Sequence, residues 1–439
     1  PAPRQRRSPR GTLLVGATLA LLTASSGKEL EIKGNFDRVV GETVTLTLVD
    51  GDPGFSGDVS LRTADGAVVK ADRLSLSKND GRTISFVVPA DVPTGKATAL
   101  VGQRGGGNYS VPLQLNRLLF ALDQQLGTLE VIPLPPATLA RKTLTLGNGQ
   151  PLVSLSPGGG ELASYVNDEL RLRRLGAEIA EIGLALKQPG GTFVVAAGNG
   201  NVLLGTGSGI YVVTFVGGAA PKVAGTAIPD CRGAAVDQTG NLAVVLAGCD
   251  TNNDKLPDSD CLIPLTLGPT LNAGAPIVLD NTFDATAVGL AGDGTAAVVA
   301  DPKAIFGVHL ATKKLTKLDW IADGQALATA VTPLGIDHAL TTVSNLTVDL
   351  FAVVATAGTS RPGLINFVGF DPSKANELRF VTETVLSKAP TGLAFGRNTD
   401  LYLAAGAMTM LVDASVAAPS AASLDLGITR PVSALLVQP

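Results

Sequence analysis

The stretch with the clearest capacity for chemistry is an acidic segment that runs between two cysteines, residues 249–261. Oxygen donors at positions 1, 3, 5 and 9 of a loop, with a backbone carbonyl at position 7, are the ligands that a hard ion such as Ca²⁺ requires. These positions are held by Asp250, Asn252, Asp254, Leu256 and Asp258, and Asp260 is the next acidic residue that is available to complete the shell. The spacing predicts a Ca²⁺ site that stabilises a long loop.

The same loop resembles the D-x-N-x-D loops of dockerins and thrombospondin repeats, and this resemblance also implies calcium binding. Two residues depart from the pattern. Lys255 stands where the glycine of the sharp turn is usual, and Cys261 stands where a bidentate Glu or Asp usually closes the shell. The alternative is a solvated acidic turn that binds no metal.

The three cysteines, Cys231, Cys249 and Cys261, lie close together in the sequence. Antiparallel pairing of the strands around them places all three at one end of adjacent strands, so Cys249 is able to pair with either neighbour. A disulfide across residues 249–261 would staple the acidic turn, and one thiol would be left over. Three reduced, buried cysteines are the alternative.

Histidine, the commonest general base in enzymes, is scarce in this chain. The chain has 2 histidines, His309 and His338, and both lie in apparent strands, so we interpret both as structural. The glycine-rich stretches at residues 198–200 and 205–209 are followed by no helix, which a phosphate-binding loop requires, so we interpret them as turns. The sequence therefore favours a protein without catalytic activity.

The bulk composition bounds the class of protein. Of 439 residues, 45% are apolar but only 4% are aromatic, and 51 are glycine, so the interior must consist of small aliphatic side chains. Charged residues make up 16% of the chain, and no Lys- or Arg-rich stripe lies beyond the N-terminus. This distribution argues against nucleic acid as a partner.

Residues 1–26 have the features of a signal peptide. Arg4, Arg6, Arg7 and Arg10 precede an apolar stretch, residues 11–24, that ends in small residues. The stretch is shorter than the roughly 20 apolar residues that span a bilayer. We therefore expect export to the periplasm, the cell surface or the medium, with an ordinary N-terminal helix as the alternative.

From residue 118 onward, one pattern recurs seven times: a short apolar run, a turn rich in Gly, Asp or Asn, and a second apolar run. The turn markers are Gly160, Gly200, Gly240, Gly294, Gly335 and Asn398. Most of their intervals lie near 40 residues, which is typical of β-propeller blades and longer than the period of a β-helix.

The recurring pattern also defines the inner strand of each blade. The predicted inner strands are residues 151–156, 192–197, 232–237, 285–290, 326–331, 390–395 and 431–437. The last one has no partners after it, so we expect it to pair with residues 118–122, 128–132 and 142–146, because closure of the ring removes exposed sheet edges. The prediction is an all-β chain whose residues 118–439 form a propeller of seven blades, with six or eight as alternatives. This region resembles the YVTN and NHL propellers, although the YVTN tetrapeptide is absent.

Residues 29–115 show alternating strands separated by Gly, Asp and Pro turns, as in a small β-sandwich. Residues 32–36 (IKGNF), Gly41, residues 86–89 (FVVP), residues 93–95 (PTG) and residues 111–113 (VPL) follow one another in this region. These landmarks resemble the IPT/TIG family of immunoglobulin-like domains. That resemblance implies display or presentation of a neighbouring domain, because bacterial members are usually spacers or adhesive modules.

These observations together predict an exported, non-enzymatic binding or scaffold protein whose propeller face contacts a protein or a glycan. The face that bears Cys231, residues 250–260 and an insertion at residues 344–362 is the first place to look for the contact. The alternative is a propeller hydrolase or lyase that depends on calcium. An enzyme should show three or more converging carboxylates, histidines or arginines at the mouth of the channel.

Overall fold

The computed structural model describes most of the chain and shows an all-β protein. The described residues are 20–23, 29–32, 37–48, 54–76, 81–135, 137–176, 178–252, 257–268, 271–279, 284–343, 346–359, 361–371, 377–396, 399–415 and 419–438. They form many small antiparallel sheets and no α-helix, so no described helix is long and apolar enough to cross a membrane. The predicted all-β class is confirmed.

Two sheets at the N-terminus share one hydrophobic core. One has the order β1-β2-β4-β8-β7, and the other runs β10-β9-β5-β6, with β3 parallel to β10. The strands are β1 Ala20–Thr23, β2 Glu29–Ile32, β3 Asp37–Val39, β4 Thr43–Leu48, β5 Phe55–Thr63, β6 Val68–Lys70, β7 Arg73–Leu76, β8 Thr83–Val87, β9 Gly95–Gln103 and β10 Asn108–Asp123. Side chains alternate between the core and solvent along β4 and β5, as period-2 strands with one buried face require. Of the predicted signal peptide, residues 1–19 and 24–26 lie outside the described residues, and residues 20–23 form β1.

Strand β10 continues from the N-terminal sheets into the rest of the molecule. Its second half pairs with β11 (Thr128–Leu134), which pairs with β12 (Lys142–Thr145). On its other side it pairs with the C-terminal strand β41 (Ala434–Val437). The predicted pairing of the C-terminal segment with residues 118–122 is therefore confirmed.

Six further sheets follow, and in each the first four strands form an antiparallel meander. In two of them a short fifth strand, β17 or β26, pairs with the third strand beside the fourth. The first three sheets contain β13 Leu152–Leu155, β14 Glu161–Val166, β15 Glu169–Arg174, β16 Ala180–Glu181 and β17 Leu186–Lys187; β18 Gly191–Gly198, β19 Asn201–Thr206, β20 Gly209–Thr214 and β21 Lys222–Thr226; β22 Gly233–Val236, β23 Leu242–Cys249, β24 Ser259–Thr266, β25 Asn272–Ala273 and β26 Ile277–Val278. The next three contain β27 Ala287–Leu290, β28 Ala296–Ala300, β29 Ala304–His309 and β30 Lys314–Asp319; β33 Thr332–Val343, β34 Leu346–Thr356, β35 Gly363–Asp371 and β36 Glu377–Leu386; β37 Gly392–Phe395, β38 Asp400–Ala405, β39 Met408–Asp413 and β40 Ala421–Leu424. A hairpin of β31 (Ile321–Ala322) and β32 (Gln325–Ala326) lies between two of them.

The first strands of successive sheets contact one another in chain order. Strand β13 contacts β18, and the series continues through β22, β27, β33 and β37 to β41, which also contacts β13. Polar side chains form hydrogen bonds between the starts of neighbouring first strands: Thr192 Oγ1 donates to the carbonyl of Cys231, Arg232 Nη1 to that of Ala285, Thr286 Oγ1 to that of Pro333 and Thr391 Oγ1 to that of Val432.

We call the end of the sheets at which the first strands begin the start face. The opposite end, where first strands turn into second strands near Gln238 and Gly292, is the turn face.

One predicted inner strand is wrong. The first strand of its sheet is β33, which begins at Thr332, whereas residues 327–331 form no strand. Gly335, interpreted as a turn marker, lies inside β33 at a bulge next to Pro333. Pro333 is tolerated there because a first strand is a sheet edge, where the missing N–H leaves no ladder bond unmade.

Packing between sheets uses the small side chains that the composition required. The core between the β22 and β27 sheets consists of Val, Leu, Ala and Ile with one aromatic residue, Phe306. Close approach also explains Gly240, whose φ is +69° and where a Cβ would lie 1.8 Å from the carbonyl oxygen of Ala197. Turns of neighbouring sheets therefore touch backbone to backbone.

Gln438 joins the two halves of the molecule. Its side chain is fully buried, accepts a hydrogen bond from the Leu118 amide (2.8 Å) and donates to the carbonyls of Val40 (2.9 Å) and Gly159 (2.7 Å). Beside it, Gly41 packs against the turn before β14, and a Cβ on Gly41 would lie 2.5 Å from a carbonyl oxygen there. The N-terminal sheets are thus held on the turn face.

Candidate functional site

The acidic loop lies on the start face, between β23 and β24. Cys249 pairs with Ser259 across the two strands, and the amide of Asp258 donates to the carbonyl of Cys249 (2.9 Å). Thr251 donates to Asp258 from both its amide and its hydroxyl, and these bonds lower the pKa of that carboxyl. Of the six residues predicted as ligands, Asp254 and Leu256 lie outside the described residues.

The cysteines occupy one end of adjacent strands, as predicted. Cys249 and Cys261 form a disulfide, with Cα atoms 5.8 Å apart. Cys231 is a buried free thiol whose sulfur donates to the carbonyl of Ile228, and burial raises its pKa to about 11. The disulfide closes the acidic loop, and the remaining thiol is held in its unreactive protonated form.

Asp260 does not turn toward the loop. Its fully buried carboxylate forms an ion pair with Arg232 and accepts hydrogen bonds from the amides of Asp284 and Ala285. The physical reason is strand alternation, because Asp260 pairs with Gly248 inside the sheet and faces the neighbouring sheet. This geometry argues against Asp260 as a calcium ligand. Within the described part of the chain, no three His, Cys, Asp or Glu residues lie where they could hold a metal ion.

A second polar cluster, which the sequence did not predict, lies on the turn face. Its members come from three sheets: Gln238 follows β22, Gly292 follows β27, and His338 and Asp349 belong to β33 and β34. The Gly292 amide donates to Asp349 Oδ1 (3.0 Å), and the Gln238 amide donates to the Gly292 carbonyl (2.9 Å). We call these four residues the turn-face cluster.

The polar atoms of this cluster converge on one point. A Cβ placed on Gly292 would lie 3.4 Å from Gln238 Oε1 and 3.6 Å from both Asp349 Oδ1 and His338 Nε2. His338 Nε2 is 4.0 Å from Asp349 Oδ1, and the imidazole lies against the ring of Phe351, with centroids 5.6 Å apart. The side chains of His338 and Asp349 are 25% and 15% exposed, so a ligand is able to reach both.

Three carboxylates at the turn face brace the turn of a neighbouring sheet. Asp349 accepts from Gly292, Asp337 accepts from the Phe395 amide (2.7 Å), and Glu161 accepts from the Gly200 amide (3.1 Å). Desolvation raises the pKa of each, and the hydrogen bonds offset part of that rise. We call Glu161, Asp337 and Asp349 the clamp carboxylates.

Sequence reasoning missed this cluster for a definable reason. His338 lies in strand β33, as expected, and its position in a strand was the reason to interpret it as structural, but its neighbours Gly292 and Gln238 come from other sheets. The predicted insertion at residues 344–362 is mostly strand β34, and only its end, after residue 356, lies on the same face as Cys231. Its hairpin end is on the turn face, and the turn that follows β34 is on the start face. Residues 344–345 and 360 lie outside the described residues.

Comparisons with known proteins bear on the fold alone. No protein-family model matches the chain, and no curated protein matches it. A functionally unknown protein from Desulfotomaculum acetoxidans is similar in structure, with a TM-score of 0.51 and 15% identity over 73% of this chain and 98% of that one. A protein of unknown function from Bacteroides thetaiotaomicron has a TM-score of 0.41 at 10% identity, covering 94% of this chain and 88% of that one. AztD from Citrobacter koseri has a TM-score of 0.42 at 10% identity, covering 73% and 97%.

Proposed function

We propose that residues 118–439 form a seven-bladed propeller that carries an IPT/TIG-like sandwich at residues 29–115. The cyclic series of contacts among seven first strands, from β13 to β41 and back to β13, supports this architecture. The meander order within each sheet agrees with it. The pairing of β41 with β10 would then complete the last blade, in which β10, β11 and β12 are the outer strands.

The function that the geometry supports best is non-enzymatic binding on the turn face by an exported protein. The observation that carries this proposal is the composition of the turn-face cluster. Its only titratable members among the described residues are His338 and Asp349, because Asp337 turns toward Phe395 and Asp293 accepts from Thr295 in its own turn. Asp349 also holds the Gly292 turn, so it is committed to structure and is poorly suited to proton transfer.

A protein partner fits this face better than a glycan. The turn between β22 and β23 ends at an exposed apolar side chain, Leu242 (37% exposed), which lies against Gly294 of the next sheet, and Leu184 (60%) and Val216 (44%) are exposed in the two sheets that precede it in the chain. The single tryptophan, on which a sugar could stack, is withdrawn, since Trp320 is buried and donates its indole N–H to the carbonyl of Asp301. Protein interfaces combine exposed apolar side chains with polar groups.

The start face has a separate proposed role. We propose that Asp250, Asn252 and Asp258 contribute oxygen ligands to a structural Ca²⁺ in the loop that the disulfide closes. Asp260 is omitted from this set because of its ion pair with Arg232. The ion would order the loop and would take no part in a reaction, so calcium-dependent hydrolysis is not proposed.

Photo-crosslinking tests the location of the binding face. A photoreactive residue replaces Gln238 on the turn face or, as the matched control, Ser208, an exposed turn residue on the start face. Both proteins are incubated with the exported proteins of the cell that produces this chain. We expect a discrete protein adduct from position 238 and none from position 208. We also expect the mass of the partner protein to be the same before and after incubation, because the chain does not cleave it. Equal labelling from both positions, or a partner that is cleaved on incubation, would refute the proposal.

Cell fractionation tests export. The full chain, or a variant that lacks residues 1–26, is fused to a reporter enzyme that folds only in an oxidising compartment. We expect reporter activity from the full chain alone. Activity that is independent of residues 1–26 would show that this segment does not direct export.

A further inference from the structure

Strand β36 and the following sheet border a cleft of about 610 Å³ that none of the sites above uses. One wall is the end of β36, including Thr384 and Leu386, and the other is formed by β39 and β40. Met408 and Met410 both line it. They are the only 2 methionines among 439 residues.

The two methionines lie on one side of β39. Residues two apart on a strand point to the same face. Met410 and Val412 belong to the core between the β33 and β37 sheets, and Met408 is half-buried and packs against that core. Other third strands place branched aliphatic residues on the face that packs against the preceding sheet, for example Val213 on β20 and Val308 on β29. Both thioether side chains therefore lie at the junction between two sheets that borders this cleft.

The chemistry of the lining favours a soft cation. Thioether sulfur is a neutral, polarizable donor that selects Cu(I) over hard ions such as Ca²⁺. The ionisable residues that line the cleft are Asp323 and Glu383, and no described lysine or arginine lines it, although Arg361 pairs with Asp323. Along the strand, Met408 and Met410 are separated by about 6.6 Å, a span that two flexible side chains can close around one ion.

We propose that this cleft binds one soft monovalent metal ion, Cu(I), through the thioether sulfurs of Met408 and Met410. The metal enters between β36 and β40, and Ser423, which pairs with Met410 across the sheet, lies beside it. No oxidation or group transfer is involved. The site is separate from the turn face, so the binding function proposed above does not depend on it.

Methyl-selective NMR tests this directly, because a chain with two methionines gives two ¹³C-methyl resonances. The purified full chain is titrated with silver nitrate, an air-stable probe for Cu(I), and the single variants Met408→Leu and Met410→Leu assign the peaks. Leucine preserves the buried volume closely, so the variants should remain folded. We expect both methyl resonances to shift and reach an end point at one equivalent of Ag(I).

Two controls separate this site from other binding. Cys231→Ala removes the free thiol and should leave both methyl shifts unchanged, and Ca²⁺ should shift neither resonance. Each single variant should bind Ag(I) at least tenfold more weakly than the wild type. Methyl resonances that do not move at one equivalent, wild-type affinity in Met408→Leu/Met410→Leu, or shifts that disappear in Cys231→Ala would overturn the proposal.

Discussion

Replacement of Gln438 by alanine should destabilise the whole protein. The side chain satisfies three buried backbone groups: the Leu118 amide and the carbonyls of Val40 and Gly159. A buried polar group left without a partner costs about 1–3 kcal/mol. Even at the lower limit, the three groups together predict a loss of about 3 kcal/mol, a large part of the roughly 5–15 kcal/mol by which native proteins are stable.

Urea unfolding followed by fluorescence and by circular dichroism measures this loss. Trp320, the only tryptophan, is buried between β30 and β31, far in sequence from Gln438, so it reports whether the damage spreads beyond the junction. We expect both probes to move to lower urea together. Gln438→Met keeps most of the volume but none of the hydrogen bonds, so it should lose nearly as much stability as Gln438→Ala.

Gln325→Ala, at an exposed position on β32, is the matched control and should change stability by less than about 0.5 kcal/mol. If Gln438→Ala behaves like this control, the junction does not hold the molecule together. If Gln438→Met is close to wild type while Gln438→Ala is not, packing rather than hydrogen bonding is the cause. Either result would refute the reasoning.

Four further results are expected. Cys249→Ala/Cys261→Ala opens a loop with a sequence separation of 12 residues, so the chain-entropy model predicts a loss of about 3 kcal/mol in thermal or urea unfolding, and a loss below 1 kcal/mol would contradict it. Gly240→Ala should lower the melting temperature sharply, because a Cβ there meets a backbone carbonyl at a φ of +69°; a melting temperature equal to wild type would show that the turn moves aside. The clamp carboxylates have raised pKa values in the folded protein, so the folded chain binds protons more tightly than the unfolded chain, and stability should fall as the pH rises above the ordinary values of 3.8 for Asp and 4.5 for Glu. Urea unfolding of Asp349→Asn between pH 4 and pH 7 should show a shallower fall than wild type, and an identical slope would exclude this clamp. Calcium should raise the melting temperature of wild type relative to chelator-treated protein but not that of Asp258→Asn, and equal shifts in both would place any bound ion elsewhere.

The order of short strands and turns was predictable because it depends on local chemistry. Alternating apolar residues and positive-φ glycines such as Gly200 act within a few residues of one another. Six of the seven predicted first strands match strands of the structure, and the seventh failed where a proline stands inside an edge strand. The pairing of the C-terminal strand was also predictable, because a strand without neighbours must find partners to satisfy its backbone groups.

The turn-face cluster and the direction of Asp260 were not predictable from the sequence, because they depend on contacts between sheets. Nothing local places Gly292 beside Asp349 or directs Asp260 to Arg232 and away from its own loop. A side chain's direction follows from strand register, and one residue of slippage reverses it. The amino-acid sequence alone therefore determined the all-β class, the repeating units and the cysteine grouping, since these follow from period and proximity along the chain. Only the tertiary structure decided which polar groups meet on the turn face, since that depends on how separate sheets pack against one another.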